Sequence, residues 1–203
     1  MPKFDNTPKN GHRIQGFSSE TFIDARELLE TLNLKGNEVL LDLGCGDGHL
    51  SFEAIDLLND EGTVIAMDMY KPSIIDLHKD VDEQKIPNLI PILADITEGC
   101  DLEEESVDII VLVNVYHHIN AARKVDETIE EMKRILKPGG RVCIMEYKKQ
   151  KQEKGGPKYQ MRVSHETVIE SYKNHDFKLE KLDENVGEDI PEGKSHYLVI
   201  FEK

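Results

Sequence analysis

The sequence predicts an α/β protein built on a doubly wound, mainly parallel sheet. Three observations lead to this prediction. Apolar runs alternate with amphipathic helical stretches, a glycine-rich turn follows the first run, and polar residues follow the next three runs. Alternating strands and helices form a parallel sheet covered by helices on both faces. Ligands of such sheets bind beyond the carboxyl ends of the strands, where the strand order switches.

In the first half of the chain, hydrophobic periodicity and capping residues define each element. A helix begins at Ser18 or Ser19 and ends at Gly36, a second helix follows the glycine-rich turn, and a third begins near Pro72. The first three strands are predicted at Glu38–Leu43, Thr63–Asp68 and Leu89–Ala94.

In the second half, Val107–Val113 is a continuous β-branched run, typical of a strand buried on both faces. A helix marked by apolar residues from Val125 to Leu136 ends at Lys137–Gly140, and Arg141–Tyr147 forms the fifth strand. Ser164 begins another helix. The last two strands are predicted at Phe177–Leu182 and His196–Phe201, joined by an acidic connection that contains glycine and proline.

Composition indicates a soluble protein. The 203 residues are 38% hydrophobic, which suits one core, and no apolar run is long enough to span a membrane. We expect a flexible arm over residues 1–17, which are polar and broken by proline and glycine, and a single domain over residues 18–203. We expect a monomer or a homodimer.

Charge and cysteine content narrow the partners. The formal net charge of −15 repels a phosphate backbone, so we expect no nucleic-acid partner. The three cysteines are isolated, which disfavours disulfides and a thiolate metal site and favours a reducing, cytoplasmic location. We predict no metal. The basic stretch 148–158 is either a solvated loop or a flap that attracts an anionic small molecule.

The most specific motif is Asp-Leu-Gly-Cys-Gly-Asp-Gly at residues 42–48. Glycine permits positive φ angles and close approach of a ligand, and the helix that follows presents free N–H groups. A dinucleotide site needs G-x-G-x-x-G, but His49 stands at the third glycine position and the glycine comes one residue early, at Gly48. The turn therefore predicts a nucleotide-type cofactor other than a dinucleotide.

Polar residues at the next three strand ends extend this site. Asp68 ends the second strand, where a carboxylate accepts hydrogen bonds from ribose hydroxyls. Asp95 follows the third strand and could accept from an adenine amino group, and Asn114 follows the fourth. Asp68 and Asp95 could each be a helix N-cap instead. Together the strand ends favour an adenosine-containing cofactor.

From about Leu34 onward the chain resembles the class I S-adenosylmethionine (SAM) dependent methyltransferases. The resemblance rests on the glycine-rich turn, on Arg134–Gly140 and on the terminal pair of strands; Tyr-His-His at 116–118 and Gly-Gly-Pro at 155–157 resemble the small ubiquinone/menaquinone methyltransferase-like branch. It implies a Rossmann-like seven-stranded sheet of order 3-2-1-4-5-7-6 with the last strand antiparallel. It also implies an enzyme that transfers the methyl group of SAM to a small-molecule acceptor. Quinone-like compounds are one candidate class of acceptor.

The resemblance further implies a cofactor site that runs from the methionine end of SAM to its adenine. Asp42 orders the turn, the glycines form a floor, Asp68 binds the ribose, and Asn114 holds the methionine amino group through its carbonyl. The implied cofactor-binding residues are Asp42, Gly44, Gly46, Gly48, Asp68, Met69, Asp95, Ile96 and Asn114.

Methyl transfer requires orientation of the acceptor and, where the acceptor carries a proton, a general base. His117 and His118 are the candidates, since imidazole titrates near neutrality, although one of them is expected to face the core. The remaining candidates for the acceptor pocket are Tyr116, Glu146, Tyr147, Tyr159, Arg162 and His165, with His12 and Arg13 from the arm.

Several alternatives stay open. The chain could be a SAM-binding sensor or partner protein without transfer activity, or a methyltransferase that acts on protein. A nicotinamide-dependent oxidoreductase is disfavoured by Gly48 and His49, and an RNA substrate is disfavoured by the charge. A catechol-type magnesium site cannot be assembled without reusing Asp95. An arsenite enzyme would need more suitably placed cysteines than Cys45 and Cys143.

Overall fold

Seven strands and six α-helices alternate along residues 23–150 and 156–203, which are the residues that the computed structural model describes. The strands are β1 Val39–Leu43, β2 Thr63–Asp68, β3 Leu89–Leu93, β4 Val107–Val113, β5 Leu136–Tyr147, β6 Lys178–Ile190 and β7 Gly193–Glu202. The helices are α1 Ala25–Glu30, α2 His49–Leu57, α3 Lys71–Gln84, α4 Tyr116–Ala121, α5 Val125–Ile135 and α6 His165–Lys173.

The sheet has the order β3-β2-β1-β4-β5-β7-β6. Neighbouring strands from β3 to β5 are parallel, whereas β7 is antiparallel to both β5 and β6. This confirms the predicted fold class, strand order and antiparallel last strand. The switch in order lies between β1 and β4, so a ligand site is expected beyond the carboxyl ends of these two strands.

Each face of the sheet buries its own apolar core. One core packs α4, α5 and α6 on side chains such as Leu41, Ile110 and Ile144. The other packs α1, α2 and α3 on the alternate residues of the same strands, such as Leu40 and Val111. Because side chains alternate across a strand, strands with both faces covered are apolar throughout. This explains why β4 is apolar from Ile109 to Val113.

The junction between α5 and β5 differs from the prediction. The helix ends at Ile135, and Leu136 already pairs with Val107 as the first residue of β5. The pairing then shifts, so that Arg141 is next in register and Lys137–Gly140 forms an irregularity inside the strand. Proline lacks an N–H group and cannot continue a helix, but it is tolerated at a bulge.

The terminal hairpin is longer than predicted. β6 extends to Ile190 and β7 begins at Gly193, so most of the predicted acidic connection is strand. The prediction of a loop was wrong here because charged residues are acceptable on the exposed side of an edge strand. Three register shifts interrupt the β6–β7 pairing.

Two helices also correct the prediction. α4 follows β4 almost at once and carries no side-chain N-cap, so the sequence offers no start signal for it. α1 is capped by Asp24, whose Oδ1 accepts the Glu27 N–H at 3.0 Å, and ends at Glu30, before the predicted Gly36. Ser18, Ser19 and the predicted arm lie outside the described residues. No helix in the described ranges is long and apolar enough to cross a membrane.

Candidate functional site

The glycine-rich turn is fastened to the end of β2. The N–H groups of Gly44 and Cys45 both donate to the Met67 carbonyl, at 2.7 and 3.0 Å. At Gly44, φ is +78° and an added Cβ would lie 2.4 Å from Val115 Cγ2, whereas at Gly46, φ is +56° and an added Cβ would meet nothing within 4 Å. The turn is therefore closely packed below Gly44 and open above Gly46.

Asp68 bridges the turn and the segment after β2. Its Oδ2 accepts the Gly46 N–H at 2.9 Å and its Oδ1 accepts the Tyr70 N–H at 2.7 Å. Burial raises the pKa of Asp68 above its usual value, while these hydrogen bonds act in the opposite direction. Each oxygen keeps acceptor capacity for a further donor. Asp68 is not the N-cap of α3, because Tyr70 occupies that position.

Asp42 lies beneath the turn and is buried. Its Oδ2 accepts the Ser51 hydroxyl at 2.6 Å, which ties the end of β1 to the first turn of α2. Burial raises the pKa of Asp42 from 3.8 to about 7, with smaller contributions in the same direction from the charges of Asp68 and Asp47. The ordering of the turn by Asp42 thus has a concrete partner in Ser51.

The edge beyond β2 and β3 carries the residues predicted to contact adenine. Met69, directly after β2, is 58% exposed, so its side chain is accessible to a ligand. Asp95 caps the short 3₁₀ helix Ile96–Glu98 and accepts both the Thr97 N–H, at 3.0 Å, and the Thr97 hydroxyl, at 2.8 Å. Asp95 is therefore an N-cap, which leaves its Oδ2 available to another donor.

At the end of β4, Asn114 adopts φ +58°, a left-handed conformation that asparagine tolerates better than most residues. Its N–H donates to the Met145 carbonyl at 2.9 Å. Its Oδ1 is buried and accepts no hydrogen bond from the residues that the structure describes. An unpaired buried acceptor is costly, so this oxygen suits a donor supplied by a ligand or by solvent.

The two candidate histidines, His117 and His118, differ in burial and in their contacts. His117 is 5% exposed, and its Nδ1 lies 2.8 Å from Oε2 of the fully buried Glu146. His118 is exposed, with its ring centroid 4.2 Å from that of His117. Glu146 also accepts the backbone N–H of His117 and of Tyr147, at 3.2 and 2.8 Å. Glu146 thus contacts His117 rather than an open pocket.

A second cluster surrounds Tyr147. The ring of Tyr147 packs on that of His196 with centroids 4.0 Å apart, and the Arg162 guanidinium lies 5.3 Å from the Tyr147 centroid. Arg162 donates to the carbonyls of Pro157, Lys148 and Gln150. Burial raises the pKa of Tyr147 to about 12. This cluster holds the chain that leaves β5.

His196 is the residue of this cluster that the sequence did not single out. Its Nδ1 lies 2.6 Å from the Ser195 hydroxyl, while its Nε2 is buried without a hydrogen bond inside the described ranges. Burial lowers the pKa of His196 from 6.5 to about 4. No sequence motif identifies His196 or Ser51 as part of the site. Each is a polar residue among apolar neighbours, and the folded structure is needed to show its partner.

The other candidates for the acceptor pocket are dispersed. Tyr116 is 1% exposed and packs near Tyr172 in the core. Tyr159 is exposed, and His165 begins α6 with Glu184 3.0 Å from its Nδ1. His12, Arg13 and residues 151–155 of the basic stretch lie outside the described residues. The acceptor roles of these side chains remain predictions.

The chain matches a family model described as a methyltransferase domain, over residues 34–201. The chain belongs to this family. It is a class I SAM-dependent methyltransferase domain, and SAM is its cofactor.

Relatives of this methyltransferase have diverse acceptors. The demethylmenaquinone methyltransferase of Oceanobacillus iheyensis is 25% identical over 121 residues, 60% of this chain and 49% of the relative. The human tRNA N(3)-cytidine methyltransferase is 27% identical over 111 residues, 53% of this chain and 29% of the relative. The matches thus span less than half the length of either relative.

The fold is also similar to that of solved methyltransferase structures. A crystal structure of a SAM-dependent methyltransferase from Aquifex aeolicus has a TM-score of 0.79 and is 22% identical, covering 98% of this chain and 99% of that chain. At this identity the likeness shows the fold.

The residues present fit SAM. The open space above Gly46 leaves room for a ligand beside the turn, and the unpaired Oδ1 of Asn114 offers an acceptor to a cationic amino group. The carboxylate of Asp68 favours the positive sulfonium electrostatically. Within residues 23–150 and 156–203, no three His, Cys, Asp or Glu side chains converge as a metal site would require.

Proposed function

We propose that this methyltransferase transfers the methyl group of SAM to a small-molecule acceptor, with quinone-like compounds as the first class to test. The observation that carries the proposal is the shared edge of the sheet, where Asp68 and the Gly46 N–H meet beside open space. SAM supplies an activated methyl group, and the protein needs only to orient the acceptor and to exclude water.

In this proposal the cofactor lies across the ends of β4, β1, β2 and β3. Asn114 holds the methionine amino group, the glycine turn forms the floor, and Asp68 accepts from the ribose hydroxyls. Met69 packs on adenine, whose amino group is bound by Asp95 with the Ile96 N–H nearby. Support comes from the exposure of Met69 and from the free acceptor capacity of Asp68 and Asp95.

A small acceptor is supported by charge and by the quinone-directed relative. The formal charge of −15 opposes binding of a polyanion over a long surface. The demethylmenaquinone relative is matched over 60% of this chain. The tRNA relatives favour RNA as the second candidate, so an assay must separate the two.

The cofactor site is tested by calorimetry with SAM. Asp68→Ala should weaken SAM binding by about 10- to 100-fold, the usual cost of removing hydrogen bonds to a charged group. It should also destabilise the turn, because the N–H groups of Gly46 and Tyr70 lose their acceptor. Asp47→Ala is the matched control, since it removes a carboxylate from the same turn that is exposed; its affinity should stay within about 3-fold of wild type. Equal affinity for Asp68→Ala and wild type would refute this site.

The acceptor is tested with methyl-labelled SAM and a fractionated cell extract. We expect label in the organic or small polar fraction. Label in a fraction sensitive to ribonuclease would replace the proposal with RNA methylation, and label in protein would replace it with protein methylation. SAM binding without label in any fraction would favour a sensor that does not transfer the methyl group.

A further inference from the structure

The most informative side-chain pair outside the cofactor residues is His117 and Glu146. His117 is the second residue of α4 and Glu146 lies near the end of β5, so two neighbouring strands bring them together. The His117 Nδ1 and the Glu146 Oε2 are 2.8 Å apart, and the two side chains are 6% and 0% exposed. A buried contact of this length fixes the orientation of the imidazole ring.

The hydrogen bonds of Glu146 determine which imidazole nitrogen carries the proton. Oε1 accepts the Tyr147 N–H, and Oε2 accepts the His117 backbone N–H, so both oxygens already act as acceptors. The remaining contact of Oε2 is Nδ1. A carboxylate surrounded by donors requires Nδ1 to be a donor as well, and the neutral ring then keeps its lone pair on Nε2.

The segment that leads into His117 begins beside the cofactor turn. Val115, two residues before His117, is the side chain that a Cβ on Gly44 would strike at 2.4 Å. The helix that carries His117 therefore starts beside the turn predicted to hold the methionine end of SAM. Nε2 of His117 makes no hydrogen bond with any residue in the described ranges, which leaves it available to a ligand.

We propose that Glu146 is a positioning residue that holds His117 in the Nδ1–H tautomer, so that Nε2 serves as the general base for a methyl acceptor with an ionisable O–H, N–H or C–H group. This rests on the proposed function and selects His117 rather than the exposed His118. It excludes acceptors that react through a lone pair without losing a proton, such as a thioether.

The chemical balance of the step is simple. The X–H bond of the acceptor breaks, its proton goes to Nε2, and its electron pair forms the new bond to the methyl carbon. The bond from that carbon to sulfur breaks, and its electron pair stays on sulfur. One positive charge is thus lost at sulfur and one appears on the imidazolium, where the Glu146 carboxylate 2.8 Å from Nδ1 stabilises it.

The tautomer is measured without any acceptor, by long-range ¹H–¹⁵N correlation spectra of the histidine rings above neutral pH. His117→Gln identifies the His117 signals. We expect a pyrrole-type shift for Nδ1 and a pyridine-type shift for Nε2 in wild type. The opposite assignment, with the proton on Nε2, would overturn the proposal.

Glu146→Gln sharpens this test, because an amide has one oxygen where the carboxylate has two. In either orientation its NH₂ group faces a backbone N–H, of Tyr147 or of His117. We therefore expect the Nδ1–H form of His117 to lose its predominance in Glu146→Gln and to persist in His118→Gln, the matched control, where loss of the neighbouring ring changes only the ring-current shifts. An unchanged spectrum in Glu146→Gln would show that Glu146 does not set the tautomer.

The catalytic part is tested with the extract fraction that takes up label from wild type. His117→Gln should lose transfer by about 100-fold or more, as is typical for a general base, while its SAM affinity stays within about 3-fold. Transfer by His117→Gln at the wild-type rate would refute the role of Nε2. If wild type transfers no label, the proposed function fails, and the imidazole spectra still decide the tautomer.

Discussion

The two ends of the site are built differently. The cofactor edge, formed by the ends of β1, β2 and β3, is made largely of backbone groups that carboxylates hold in place, such as the Gly46 N–H on Asp68. The predicted acceptor edge, formed by the ends of β4 and β5 and the start of β7, is made of side-chain pairs, such as His117 with Glu146 and Tyr147 with His196. A ligand shared by a whole family can be held by backbone, whereas a variable acceptor requires side chains that can differ.

The two edges also differ in how burial shifts the pKa values of their titratable groups. On the cofactor edge, burial raises the pKa of Asp42 to about 7, so the protonated carboxyl is favoured in the folded state. On the acceptor edge, burial lowers the pKa of His196 to about 4, so the neutral imidazole is favoured. Acidification should therefore stabilise one edge and destabilise the other, and variants can separate the two.

The largest effect is expected for Asp42→Asn. Asp42 holds its proton up to about pH 7 in the folded protein but only up to pH 3.8 in the unfolded chain. Its contribution to the free energy of unfolding is therefore fully present below pH 3.8 and is lost as the pH rises through 7. The shift of about three pKa units corresponds to on the order of 4 kcal/mol. Urea unfolding without SAM should show Asp42→Asn gaining stability over wild type between about pH 4 and pH 8. A difference that does not change with pH would contradict the raised pKa.

The next effect has the opposite sign and concerns His196→Phe, which keeps an aromatic ring that cannot titrate. The depressed pKa of His196 gives stability that is present above pH 6.5 and is lost as pH falls towards about 4. Over this pH range the free energy of unfolding of the wild type should fall by on the order of 3 kcal/mol more than that of the variant. The slope of unfolding free energy against pH is the measurement, since a constant offset reports only packing. Parallel slopes would show that His196 is not buried in its neutral form.

Gly44→Ala and Gly46→Ala form a matched pair within the cofactor edge. Both have positive φ, which costs roughly 1–2 kcal/mol with alanine, but only Gly44→Ala also drives a Cβ to 2.4 Å from Val115. Gly44→Ala should therefore lower the unfolding free energy by about 2 kcal/mol more than Gly46→Ala. Gly46→Ala should chiefly weaken SAM binding, measured by calorimetry. Equal stability of the two variants would mean that Val115 moves aside at little cost.

The smallest stability effect is expected for Tyr159→Ala on the acceptor side. Tyr159 is 44% exposed, so its removal should change the unfolding free energy by less than about 0.5 kcal/mol. Its predicted role in the acceptor pocket would appear as a several-fold higher KM for the acceptor with unchanged SAM affinity. An unchanged KM would remove Tyr159 from the predicted pocket.

Much of the fold follows from local pattern. The predicted bounds of β2 and β4 agree with the structure, because each contains an apolar run that is followed by a polar residue, Asp68 in β2 and Asn114 after β4. The predicted bounds were wrong where contacts with residues outside the local segment determine the secondary structure. β6 continues through acidic residues because β7 provides its hydrogen bonds, and α4 forms without a capping side chain.

The site shows the same division. The glycine spacing and Asp68 could be predicted because a glycine-rich turn and a carboxylate at the end of a strand are recognisable in the local sequence. The function of Glu146 could not, since the sequence suggests only a polar residue near the acceptor. Its hydrogen bonds to His117 depend on how β5 lies beside β4.

By itself, the sequence determined the class of fold, the strand order implied by its family resemblance, and the type of cofactor. These depend on residue patterns with short range: periodicity, glycine spacing and the last residue of each strand. The tertiary structure alone decided that Asp42 is held by Ser51, that His117 rather than His118 is paired, and that His196 is buried beside Tyr147. The reason is physical: burial and hydrogen-bond partners are set by side chains that approach one another only after the strands have paired.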